Sequence, residues 1–115
     1  MIGCDIIEID RIWKSYEKFG YSFVKRILSD NEYEEFIKRK KSKFFLSGRF
    51  AAKEAVAKCL KTGIGSVGFR DIEIISGQRG EPVVYLNRKK VAIEVTISHS
   101  KNIAMAVAFD NRGDK

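Results

Sequence analysis

The sequence predicts an α+β fold: an N-terminal strand, a helical segment, then a mostly antiparallel sheet packed on a central buried helix. Three observations predict it. The stretch Arg49–Leu60 is Ala-rich and free of Gly and Pro, with small apolar residues over most of its circumference, the pattern of a buried helix. Beyond Gly65 the apolar period switches from about 3.6 to 2, as Asp71-Ile-Glu-Ile-Ile75 alternates. The residues before the central helix carry helix caps, apart from one Ile-rich run at the start. Strands on one side and helices on the other, without βαβ alternation, indicate α+β.

Ile2 to Ile9 is that first run, and Asp5 interrupts it. Alternation puts Asp5 on one face with Gly3, Ile7 and Ile9, and Cys4 with Ile6 on the other. A carboxylate inside a strand needs a partner, because burying it unpaired is costly. That partner is either a backbone amide or neighbouring cation, or a metal ion. Asp10 is read as the N-cap of a helix from Arg11 to about Phe19, with Gly20 ending it. Phe23–Leu28 reads as a further helical turn. Ser29-Asp-Asn-Glu32 is a capping box, which starts a helix from about Asp30 to Arg39.

Lys38-Arg-Lys-Lys-Ser-Lys43 is the densest charge run, and it leads into a helix over Phe44–Leu60. It is either a solvated connector or an anion site, since a helix N-terminus also favours anions. Within the central helix Glu54 and Lys58 stand one turn apart on a narrow polar strip. Arg49 and Lys53 form a separate basic strip. The Glu54–Lys58 pair has two readings: a helix salt bridge worth about 0.3–0.5 kcal/mol, or a metal-binding carboxylate beside a phosphate-binding lysine.

After the Gly63-Ile-Gly65 turn come the alternating strand at 71–75, a turn at Gln78–Glu81 and a strand over Pro82–Leu86. Pro82 sits at the strand start, where its missing N–H does least harm. Glu94–Ser98 and Ile103–Phe109 form a hairpin around His99-Ser-Lys-Asn102. Residues 111–115 are polar and expected to fray.

The chain has 115 residues, sufficient for one domain spanning 1–115. Hydrophobic residues make up 44% and charged residues 32%, the balance of an ordinary globule. No apolar run reaches the ~18 residues of a membrane helix. The start lacks a basic flank and a cleavage site, so no secretory signal is expected and a cytoplasmic protein is. Cys4 and Cys59 fall in apolar runs and are expected to be reduced core residues. With one histidine they make no zinc site. The net charge of +7 predicts an acidic partner or ligand.

Three blocks together resemble holo-[acyl-carrier-protein] synthase, the small bacterial type of 4′-phosphopantetheinyl transferase. They are Gly3-Cys-Asp5 through Arg11-Ile12, Gly48-Arg-Phe-Ala-Ala-Lys-Glu54 through Lys58 with Thr62-Gly-Ile-Gly65, and Ile97-Ser-His-Ser-Lys101. Phe23–Glu32 and Arg79-Gly-Glu-Pro82 also fit, so the resemblance covers nearly the whole chain. The central block is the specific one. Two departures stand out. Lys61-Thr-Gly63 replaces a small residue before the glycine turn, and the segment between Pro82 and Ile97 is short and basic, without the extra helix of many relatives.

The resemblance implies transfer of the 4′-phosphopantetheine arm of coenzyme A to a serine of apo acyl carrier protein, with release of adenosine 3′,5′-bisphosphate. It implies Mg²⁺ held by Asp5 and Glu54, a pairing that suits a cation which prefers one or two protein carboxylates plus phosphate oxygens. Lys58 then holds a phosphate oxygen, and Glu54 or a water on the metal accepts the serine proton. By the same resemblance, His99 contacts the diphosphate end of coenzyme A, and Gly80, Pro82 and Ser98 line the pantetheine and ribose channel. Lys40, Lys41 and Arg49 are expected at the 3′-phosphate, and Arg11, Lys14 and Arg26 at the acidic carrier protein. The family implies a homotrimer with active sites between subunits, where Asp5, Glu54 and Lys58 come from one subunit and His99 with the Pro82 turn from the next. Neither nucleic acid nor membrane is expected as a partner. The competing reading is a small basic nucleic-acid-binding module. It draws on the charge and the Lys38–Lys43 run, but Phe44, Phe45 and Phe50 fall at helix core positions instead of interleaving with the basic residues.

Overall fold

A computed structural model describes residues 1–60 and 68–112. The Thr62–Gly65 turn and the last three residues lie outside the described residues. Eleven elements follow in order among the described residues: β1 (Ile2–Glu8), α1 (Ile9–Phe19), α2 (Tyr21–Ile27), α3 (Asp30–Lys38), α4 (Lys43–Cys59), a 3₁₀ turn (Phe69–Asp71), β2 (Ile72–Ser76), β3 (Pro82–Leu86), β4 (Lys89–Lys90), β5 (Ile93–His99) and β6 (Ile103–Asp110). The strands form two antiparallel three-stranded sheets, ordered β1-β6-β5 and β2-β3-β4. The α+β reading holds, with two sheets in place of one.

α4 lies across the inner face of the first sheet. Ala51, Ala52, Ala55 and Val56 of α4 pack with Ile72, Ile74, Val84, Ala106 and Ala108 in one core cluster. A second cluster sits under α1–α3, around Val24, Ile27, Leu28, Phe36, Phe45 and Leu46. Small residues on the helix allow close approach, and Gly3 sets the limit. A Cβ at Gly3 would stand 2.2 Å from the Ala55 carbonyl oxygen. Gly3 therefore lets β1 lie directly on α4, two residues before Asp5.

Several expected boundaries shift for identifiable reasons. Asp10 is not the N-cap of α1 but lies inside its first turn; Glu8 is the cap, without a side-chain cap bond. β1 runs straight into the helix because the Ile9 amide donates to the Asn102 carbonyl, 2.9 Å away in the β5–β6 turn. The capping box at Ser29 and Glu32 is formed as read. The basic run is an ordered α3–α4 turn. Lys40 and Lys41 both adopt left-handed backbone, with φ of 58° and 55°, and Ser42 caps α4 by accepting from the Phe44 and Phe45 amides. The two-stranded extension at β4 was not foreseen; Asn87 and Arg88, both at positive φ, supply its tight turn. Cys59 is buried as expected, whereas Cys4 is exposed on the outer sheet face; both are free thiols.

Candidate active site

Two groups of side chains converge on α4. The first joins it to β1. Lys58 Nζ donates to Asp5 Oδ1 at 3.1 Å and to the Cys4 carbonyl at 2.9 Å. Glu54 stands one turn before Lys58, half-buried on the same strip. Burial pushes its carboxyl above the usual carboxylate range, the Asp5 charge pushes it further, and Lys58 opposes both. Asp5 and Glu54 therefore sense each other as like charges. Two adjacent carboxylates and no soft donor form a set that fits a hard dication, which would relieve that repulsion. Among the described residues no group of three or more His, Cys, Asp or Glu side chains forms a metal cluster.

The second group lines a cavity of about 570 Å³ between α4, the β2–β3 turn and β5. Arg49, Gly80, Pro82 and His99 all face it. Gly80 shapes the turn at φ 82°, a conformation that favours glycine. His99 is the last residue of β5, on the same strand face as Ile97. Its ring stacks on Phe44 with centroids 4.6 Å apart and planes 20° apart. Its Nδ1 lies 3.1 Å from the Ser100 carbonyl. A carbonyl only accepts, so Nδ1 carries the proton and Nε2 is left for a ligand.

Arg49 is nearly buried in the cavity wall, stacked 4.5 Å from the Phe45 ring centroid. It donates from Nη2 to Ser76 Oγ at 3.0 Å and approaches Glu35 Oε1 at 3.5 Å. Burial pushes its pKa down, Glu35 and Glu32 push it up, and Arg39 pushes it down again. A guanidinium keeps its charge through such shifts.

The remaining expected residues are dispersed. Ser98 points to the outer sheet face beside Met105, away from the cavity that His99 lines. Lys40 and Lys41 are exposed on the α3–α4 turn and do not line the cavity. Arg11, Lys14 and Arg26 are exposed on α1 and α2, with no ion-pair partner among the described residues. Lys53 is the largest departure. Read as part of a basic strip with Arg49, it is fully buried and paired with Glu32. Sequence reading missed Arg39, Ser42 and Phe44 as cavity residues. A basic residue and an aromatic flanking the Ser42 cap were the available signal.

The profile of the 4′-phosphopantetheinyl transferase superfamily matches residues 1–108. The chain belongs to that superfamily. It is 44% identical over 117 residues to the holo-[acyl-carrier-protein] synthase of Natranaerobius thermophilus, covering 94% of each protein. It is 45% identical over 114 residues to that of Geobacillus sp., covering 96% of this chain and 95% of the relative. The Helicobacter pylori holo-[acyl-carrier-protein] synthase in complex with coenzyme A superposes with a TM-score of 0.85 at 35% identity, over 94% of this chain and 97% of that one. A Bacillus anthracis holo-(acyl-carrier-protein) synthase in complex with coenzyme A (3′,5′-ADP) gives 0.77 at 42% identity, over 93% and 91%.

Proposed function

We infer that this chain transfers the 4′-phosphopantetheine arm of coenzyme A to a serine of apo acyl carrier protein. The observation that carries the reading is the meeting of Asp5, Glu54 and Lys58 at the β1–α4 contact, within a superfamily that performs this transfer. The serine oxygen attacks the β-phosphorus of coenzyme A. The bond from that phosphorus to the bridging oxygen breaks, and adenosine 3′,5′-bisphosphate leaves. Asp5 and Glu54 hold Mg²⁺, which when bound neutralises charge on the diphosphate. Lys58 donates to a phosphate oxygen and stabilises the departing one, and Glu54 is placed to take the serine proton. His99 Nε2 serves the diphosphate end. Gly80 and Pro82 wall the pantetheine channel. Arg49, with Lys40 and Lys41 at the adjoining turn, meets the 3′-phosphate.

The charge pattern and the outer sheet face bear on partners. Arg49 and Glu54 are five residues apart, which turns them about 140° from each other around α4. The carboxylate group and the cavity thus open in different directions on one chain. Ile2, Ile6, Ile103, Met105 and Phe109 expose an apolar outer face on β1-β6, with Ile2 65% and Ile6 63% accessible. Such a patch favours association. Both features support a homotrimer in which one subunit's carboxylates face the next subunit's cavity, with Ser98 at the junction. The positive charge is assigned to coenzyme A and the acidic carrier protein, not to nucleic acid or membrane. No described helix is long and apolar enough to cross a membrane, and we place the enzyme in the cytoplasm.

The direct test is the mass of apo acyl carrier protein after incubation with this protein, coenzyme A and Mg²⁺. A phosphopantetheine increment is expected; unchanged mass with folded protein sinks the reading. Lys58→Ala is expected to lower kcat more than it raises KM for coenzyme A, because charge on the bridging oxygen grows in the transition state. A pure KM effect would demote Lys58 to a ground-state contact.

Arg11 leaves α1 just past the Asp5 strand, where an incoming serine has to arrive. Its fork can bind a helix carboxylate bidentately and set the register of docking. Arg11→Ala is expected to raise KM for carrier protein severalfold and to leave coenzyme A binding unchanged, with Arg26→Ala weaker. Exposed charges are screened over about 8–10 Å, so the wild-type kcat/KM for carrier protein should fall with NaCl. The Arg11 variant should fall less steeply. Parallel slopes in a salt series would make Arg11 ordinary surface charge.

A further inference from the structure

Arg39 was assigned no role by the sequence reading, yet it stands beside Arg49 on one carboxylate. Arg39 closes on Glu35 Oε2 through Nε at 2.9 Å and Nη2 at 2.8 Å. Its Nη2 also reaches Ser76 Oγ at 3.3 Å, the same hydroxyl that Arg49 Nη2 meets at 3.0 Å. Ser76 Oγ in turn donates to Glu35 Oε2 at 2.5 Å. Phe45 lies between the two, with Arg39 5.3 Å and Arg49 4.5 Å from its ring centroid. Glu35 and Ser76 thus bracket two guanidinium groups at one wall of the cavity.

Holding two cations together needs an opposing charge. Glu35 supplies one negative charge against two positive, which leaves the wall at +1 before any ligand arrives. Arg49 is 7% accessible, and its Nε is buried with no hydrogen-bond partner. A buried donor without a partner is costly, so this geometry is set for something other than internal pairing. Two planar forks side by side match the oxygens of a phosphate group, which guanidinium binds bidentately.

We propose that Arg39 and Arg49, aligned by Glu35 and Ser76, form a two-guanidinium site for a phosphate monoester, and that Arg39 makes the enzyme select the 3′-phosphate of coenzyme A. The proposal rests on the transferase reading and deepens it. Coenzyme A carries two anionic groups, the diphosphate and the ribose 3′-phosphate. The diphosphate has to lie at the Asp5–Glu54 pair, where the reacting phosphorus is. The remaining anion is the monoester. Arg39 is half exposed at the rim, so it can meet the ligand without disturbing the core.

The experiment compares wild type with Arg39→Gln, using coenzyme A and 3′-dephospho-coenzyme A as donors. KM for coenzyme A is expected to rise roughly tenfold, the worth of one charge-assisted contact. The change for the dephospho donor is expected to stay under about threefold. Calorimetry provides a readout independent of turnover: wild type should bind adenosine 3′,5′-bisphosphate at least tenfold more tightly than adenosine 5′-monophosphate, and Arg39→Gln should lose most of that preference. Glu35→Gln, which loosens the bracket but keeps both arginines, should lose part of it. Equal KM losses on both donors would assign Arg39 to the diphosphate and overturn the proposal. So would equal wild-type affinity for the two nucleotides. If wild type binds the bisphosphate selectively yet modifies no carrier protein, the transferase reading fails and the anion site stands.

Discussion

Glu54→Gln and Asp5→Asn are each expected to lower kcat by at least about a thousandfold and to leave the unfolding midpoint near that of the parent. Each substitution is close to isosteric and removes one charge from a site built to hold a dication. The fold does not depend on either carboxylate being ionised. Glu54 is already pushed above the usual carboxylate range by burial and by Asp5, so neutralising it relieves repulsion. Activity and stability should therefore separate: activity is lost, while stability is kept or slightly gained. The raised Glu54 carboxyl also fixes the sign of the pH effect. The ionised form is the active one, so the rate falls as pH drops through that raised value. Raising Mg²⁺ should move the acidic limb to lower pH, because cation and proton compete for the same oxygens. Near-normal rates for either variant at saturating Mg²⁺ would remove the two-carboxylate site.

Those two carboxylates were legible in the sequence because each broke a pattern. Asp5 interrupts an Ile-rich strand, and Glu54 interrupts an Ala-rich helix. A charge where the period demands an apolar residue is a strong signal, and helix geometry alone put Lys58 beside Glu54. The contact between Lys58 and Asp5 joins positions 53 residues apart; no local pattern shows it. It follows from Gly3, whose role appears only once α4 lies on β1. The capping box was legible because it is local. The same Glu32 nevertheless has a second role that spacing could not reveal. Its carboxylate caps Ser29 at 2.9 Å and also accepts from the Ile74 amide at 2.7 Å, 42 residues on. Lys53 was misplaced for a related reason. Its 100° step from Glu54 and its period with Arg49 suggested a basic strip, but only tertiary packing decides whether such a strip meets water or α3.

The Glu32–Lys53 pair carries the largest expected effect on stability. Both side chains are fully buried. Lys53 Nζ donates to Glu32, to the Ile27 carbonyl at 2.5 Å and to the Phe69 carbonyl at 2.9 Å. One ammonium thereby ties α4 to the end of α2, to α3 and to the 3₁₀ turn ahead of β2. Burial pushes Glu32 up and Lys53 down, and the charge of each opposes the shift of the other. Lys53→Met fills similar volume but strands the carboxylate, and it is expected to cost about 3–5 kcal/mol in urea unfolding at neutral pH. The deficit has a definite pH dependence. In the variant the Glu32 carboxyl lies further above its unfolded value, because its cation is gone. The penalty is complete above the folded pKa, shrinks as pH falls through it, and vanishes once the carboxyl is protonated in both states. The loss should therefore be smaller at about pH 5 than at pH 7.5. Adding Glu32→Gln to Lys53→Met should recover part of the loss at neutral pH, because the stranded charge is removed. A single-variant loss under about 0.5 kcal/mol, or strictly additive losses in the double variant, would show that the two groups are buried side by side without depending on each other.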